Sequence, residues 1–225
     1  IQRLQSCFEN ENSKLSEIQL LKMQEWLQQK KSNYPLNWAN MLTQSNELYL
    51  AFSVSNGFID GNTNDQFTQS LYDLKHLVEL KQHSGTHLSE METSLQSVQS
   101  HRLYARLWRS QNLIREYLEQ MTHDISKWEA SFVCTTRKDK EKLTIVRNVF
   151  TKYFIQEIQA IGSQINHYHY SLKPEFSKLS SDPHLPIGFK AEIAKHSQSS
   201  FSEYQNAVIE HVRIWQIILK KCDEN

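Results

Sequence analysis

Apolar residues recur at steps of three and four along nearly the whole chain, the spacing that lines one face of an α-helix. The first stretch, 1–31, carries Leu4, Phe8, Leu15 and Ile18 among Gln, Glu and Lys, and Tyr34-Pro35 is expected to end it. A second helix opens on Pro35, which suits a first turn, and its stripe Trp38, Met41, Ser45, Leu48, Phe52 steps as a heptad seam. Gly, Asn and Asp then crowd 56–65 and predict a loop. A helix resumes through Phe67, Leu71, Leu74 and Val78, weakens at Gly85, and continues with Leu88, Met91, Leu95 and Val98.

The most regular run is Ile114, Leu118, Met121, Ile125, Trp128, Phe132. Read as one helix from Thr86 to Cys134 it is roughly 70 Å long, which implies an elongated molecule. The charged segment Thr135 to Lys142 predicts the turn to an antiparallel partner, with Thr135 or Thr136 as its cap. That partner carries Leu143, Val146, Phe150, Phe154, Ile158, Ile161, Ile165, Tyr168 and Leu172. Pro174 and the stretch Asp182 to Gly188 are expected to interrupt it, before a last helix through Phe201, Tyr204, Val208, Val212, Trp215 and Leu219. The fold class is therefore all-α, an elongated bundle of long antiparallel coiled-coil helices.

Composition supports this: 5 Gly and 4 Pro in 225 residues leave little punctuation for sheet folds. Lys plus Arg and Asp plus Glu balance at 25 each, so no overall field draws nucleic acid, and any electrostatic role must be local. Cys7, Cys134 and Cys222 are odd in number and far apart. Their spacing gives no sign of a disulfide framework or thiolate metal site, and predicts a reducing, cytoplasmic compartment. No apolar run reaches the roughly 18 residues of a spanning helix. A chain opening on Ile1 rather than Met is expected to be a fragment of something longer.

Chemistry is sparse. No phosphate-binding glycine loop, nucleophile elbow or deaminase zinc pattern occurs, and no enzyme, cofactor or metal is expected. His83 and His87 stand at ligand spacing, but without a glutamate to complete a zinc motif they read as a solvated face. Arg102, Arg106 and Arg109 align on one helix face, and Arg137, Lys138, Lys140 and Lys142 cluster at the turn. Each group reads either as solvated charge or as a contact for an anionic lipid surface.

Ala51-Phe52-Ser53, the polar loop from Asp60 to Asp65, Ser70 to Leu74, and the closing Phe201 to Leu219 together resemble the BAR domain of sorting nexins. The resemblance covers most of 31–221. It implies a lead-in helix or linker at 1–33, a BAR-like domain at 34–225 with its tip near 135–142, and a phosphoinositide-binding PX module ahead of this chain. It further implies a homodimer, or a heterodimer with another sorting nexin, formed through Trp38, Phe52, Leu71, Leu74 and Trp215. Such a module would be peripheral on endosomal membrane, bind anionic or phosphoinositide lipid, and support retromer-type cargo sorting. The neutral chain predicts that this binding is weak. The alternative is a cytosolic coiled-coil scaffold or tethering subunit that binds only proteins.

Overall fold

A computed structural model describes residues 1–11, 16–53, 57–61, 63–82 and 88–222. Among the described residues every regular element is helical. The chain divides into two compact units. The first comprises 1–54, 65–103 and 174–193, and the second 55–64, 104–173 and 194–225.

The first unit holds α1 (Gln2–Glu11), α2 (Glu17–Gln44), α3 (Asn46–Ser53), all but the first residue of α4 (Asn64–Glu79), and α5 (Leu88–His101). Ser16 starts α2 with a reciprocal cap, its hydroxyl accepting from Gln19 N–H while Gln19 Oε1 accepts from Ser16 N–H at 2.9 Å. Pro35 does not end the first helix as expected. It lies inside α2, which runs on to Gln44. Flanking side chains keep that segment docked: Trp38 Nε1 donates to Leu77 O at 2.9 Å and Tyr34 Oη to Leu80 O at 2.6 Å. Both acceptors sit at the end of α4, where carbonyls lack helical partners. Lys81 lies 5.3 Å over the Trp38 ring and pairs with Asp182. Helix α3 packs on α5, and Phe52 meets Phe176 and Phe189 at 6.4 and 6.1 Å.

The single long helix expected from Thr86 to Cys134 is two. Arg102 adopts φ 46°, the only non-glycine positive φ among the described residues, and separates α5 from α6 (Leu103–Ser131). A left-handed residue cannot continue a right-handed helix, and outside glycine it costs on the order of 1 kcal/mol or more.

The second unit contains α6 beyond Leu103, α7 (Arg137–Val149), a π-helical stretch Phe150–Ile158, the start of α8 (Gln159–Ser181), a second π-helical stretch Lys195–Ser199, and α10 (Ser200–Lys220). Pro174 sits within α8, contrary to expectation, and the real break is at 182–186, before α9 (Ile187–Ala194), all but the last residue of which belongs to the first unit. The π stretch lays its aromatic side chains against α10. Phe150 stacks on Phe154 at 5.2 Å and on Trp215 at 4.5 Å, and Phe154 lies 4.8 Å from His211.

Cysteine spacing gave no sign of a bridge, yet two of the three cysteines are joined and only Cys7 is free. Cys134 and Cys222 form a disulfide across 88 residues, with their Cα atoms 5.4 Å apart. Phe132, Leu143, Trp215 and Ile218 are buried around it. Sequence separation hid a pair that packing of the α6 and α10 ends brings together.

Candidate functional site: the outer face of α7

Thr136 caps α7. Its hydroxyl accepts from Asp139 N–H, while Asp139 Oδ2 accepts from Thr136 N–H at 2.9 Å. The side chain and then the backbone of Thr136 hold the Asp139 carboxyl below its usual pKa. The cap therefore fixes where the basic segment starts. Immediately upstream the disulfide ties Cys134 to the end of α10. Lys221 Nζ reinforces this junction by pairing with Glu129 at 2.7 Å and donating to Phe132 O at 3.0 Å.

Within α7 only the inward stripe is covered. Leu143 is buried, and Val146 and Phe150 pack on the cluster around the disulfide. The outward side carries Lys138, Lys142, Ile145 and Val149 at steps of 4, 3 and 4, which keeps the four on one face, and Tyr153 follows in the π-helical stretch that begins at Phe150. Ile145 is 63% exposed, Val149 49% and Tyr153 50%. Lys152 Nζ lies 5.3 Å from the Tyr153 ring. Next to the disulfide, Val133 is 65% exposed. This is an amphipathic face turned outward, with cations at one end and aliphatic and aromatic groups at the other. Sequence reading followed only the inward stripe and missed it, although the steps from Lys138 to Val149 were there to count.

The cations named from sequence meet different fates. Arg137, 93% exposed at its side chain, pairs with Glu141 at 3.2 Å, and Lys142 with Asp139 at 3.8 Å. Lys138 and Lys140 are exposed on the same turns. Arg102, Arg106 and Arg109 take separate places in the fold. Arg102 is the helix break, Arg106 donates to Phe58 O at 2.8 Å, and the Arg109 guanidinium lies 4.8 Å over the Phe58 ring. The latter two are engaged in holding the 57–61 segment.

The residues named for a dimer face are packed within the chain itself. Trp38, Leu74 and Trp215 are 5%, 1% and 6% exposed within this one chain. Phe52 and Leu71 are half-buried. Apolar stripes look alike whether they face a core or a second subunit, and here the first unit claims Trp38, Phe52, Leu71 and Leu74 and the second claims Trp215. His83 and His87 lie outside the described residues. Among the described residues no three His, Cys, Asp or Glu side chains gather as a metal-holding group, and no helix is long and apolar enough to cross a membrane.

The fold and this face define an all-helical, disulfide-bridged protein of two compact units. The chain belongs to the family described as "Protein of unknown function (DUF3080)", whose model matches residues 1–225. No curated protein and no solved structure matches it.

Proposed function

We propose that this chain is a non-enzymatic helical module that rests on an anionic membrane surface through the outer face of α7. The observation that carries the reading is the exposed pair Ile145 and Val149 in register with Lys138 and Lys142, followed by exposed Tyr153 just beyond α7. Interfacial helices combine such a face: apolar groups enter the headgroup boundary while cations meet lipid phosphate. Tyrosine suits that boundary because its ring is apolar and its hydroxyl wet. Four cations against two acids between Arg137 and Lys142 add about 1 kcal/mol per well-placed residue, less what the acids cancel. From the sorting-nexin resemblance this keeps membrane contact through a basic tip, and it replaces the Arg102 to Arg109 row with the α7 face. The disulfide supports a surface facing an oxidising compartment, where such bridges persist.

Flotation of the oxidised chain with vesicles of phosphatidylglycerol and phosphatidylcholine tests the reading. Binding is expected at low ionic strength, with most of it lost at physiological salt, where charges beyond about 8 Å are screened. Replacing Ile145, Val149 and Tyr153 with Ser, or Arg137, Lys138, Lys140 and Lys142 with Ser, should each reduce it several-fold. Binding unchanged by salt and by both sets would instead favour a scaffold that contacts only proteins.

A further inference from the structure

Within the first unit, α4 and α5 face each other across a seam that is polar where a helix pair is ordinarily apolar. Gln69, Tyr72, Asp73 and His76 occupy one face of α4, and Glu90 and Ser94 answer from α5, around a cavity of about 230 Å³. Asp73 is 1% exposed and Ser94 3%. Gln69 Nε2 donates to both Asp73 oxygens at 3.1 Å, and Ser94 Oγ donates to Oδ1 at 3.0 Å. His76 Nδ1 stands 2.9 Å from Ser94 Oγ. Because the Ser94 hydrogen goes to Asp73, Nδ1 is the donor in that contact.

Gln69 and Ser94 between them occupy both carboxyl oxygens of Asp73. Both donors, the Gln69 amide and the Ser94 hydroxyl, are neutral, and none of the ion pairs found among the described residues involves Asp73. A buried charge without a countercharge is costly. The wall beside it is aromatic: Tyr72, 64% exposed, stacks against His76 with ring centroids 6.3 Å apart and planes 19° apart. Exposed Glu90 places a second carboxylate on the rim.

We propose that this cavity binds a small organic ammonium ion. Its charge would compensate Asp73 and Glu90, and its alkyl groups would lie on the Tyr72 face, where the ring quadrupole attracts a cation. A neutral polyol would satisfy the hydroxyls but leave the Asp73 charge unanswered. A metal ion finds too few ligands, because no three metal-binding side chains converge among the described residues. The cavity volume suits one ammonium group and a few carbons. This site is independent of the membrane reading, since no residue of α7 takes part in it.

The test is calorimetric titration of the full chain with choline chloride at matched ionic strength, beside 3,3-dimethylbutanol, its uncharged carbon analogue. Saturable choline binding is expected, with the alcohol binding at least tenfold more weakly, on the scale of a desolvated cation–π contact joined to a charge pair. Tyr72→Ala, at an exposed position that leaves the core intact, should weaken choline binding about tenfold, and Asp73→Asn by as much or more. Circular dichroism checks that both variants fold. Equal binding of the alcohol, unchanged choline affinity in Tyr72→Ala, or no choline binding up to tens of millimolar would each overturn the proposal.

Discussion

The two units reach stability by different routes. The first is joined by polar devices: Trp38 and Tyr34 donating to the carbonyls at the end of α4, the Lys81–Asp182 pair, and the Ser–His and Ser–Asp contacts between α4 and α5. The second relies on aromatic packing and a covalent clamp. Phe150, Phe154, His211 and Trp215 pack ring on ring behind the Cys134–Cys222 bridge, and His169 stacks on Phe201 with centroids 3.3 Å apart. Two similarly helical parts of one chain therefore differ in what weakens them: loss of the bridge or protonation of buried imidazole in one, and loss of polar contacts in the other.

The largest effect that separates them should come from the disulfide. Closing an 88-residue loop removes about 4–5 kcal/mol of chain entropy from the unfolded state. Reduction, or Cys134→Ser with Cys222→Ser, should accordingly raise hydrogen exchange throughout α6, α7 and α10 while leaving α2 and α4 protected. Uniform loss of protection would merge the two units into one cooperative block.

Acid should discriminate next. Burial pushes the pKa of His169 from 6.5 down to about 4, with the Lys173 charge adding to it, and burial alone does the same for His211. His211 has no spare nitrogen, since Nε2 accepts from Trp215 Nε1 at 3.0 Å and Nδ1 therefore donates to Thr122 Oγ1 at 2.9 Å. An unfolded chain takes up these protons near pH 6.5 and the folded chain only near 4. The stability they contribute is thus complete above about 6.5 and declines as pH falls toward 4. In the first unit burial raises the Asp182 carboxyl, but hydrogen bonds from Lys81 and His184 and the Lys81 charge outweigh it and leave the pKa low. That contribution is lost only below the ordinary carboxylate range. Mild acid should therefore open the second unit first, read by exchange on α10 against α2, and His211→Gln should flatten the response between pH 6.5 and 4.

A pair of glycines gives the finest test. A Cβ on Gly188, in α9 of the first unit, meets nothing within 4 Å, whereas one on Gly162, in the second, would stand 3.2 Å from Tyr204 Oη. Alanine gains up to about 1 kcal/mol over glycine in a helix. Gly188→Ala should therefore raise the melting temperature, and Gly162→Ala should not, because Tyr204 is 1% exposed and cannot swing aside.

Helix after helix was legible in the spacing of apolar residues, because burying one stripe per helix is a local requirement written in steps of three and four. The start of α7 was legible only in part: Thr135 and Thr136 read equally well as its cap, and the turn expected to run to Lys142 gives way at Arg137 to helix, because Thr136 and Asp139 satisfy each other within one turn. What spacing could not settle was which neighbour each stripe meets. Trp38 and Trp215 read equally well as a dimer face, and only the folded chain buries them. The prolines show the same division: Pro35 and Pro174 were expected to end helices, yet tertiary contacts outweigh the single backbone bond each one removes. The Cys134–Cys222 bridge and the Asp73 pocket depend on segments distant in sequence or set on separate helices. No local pattern records such a meeting, because it is decided by how whole helices pack.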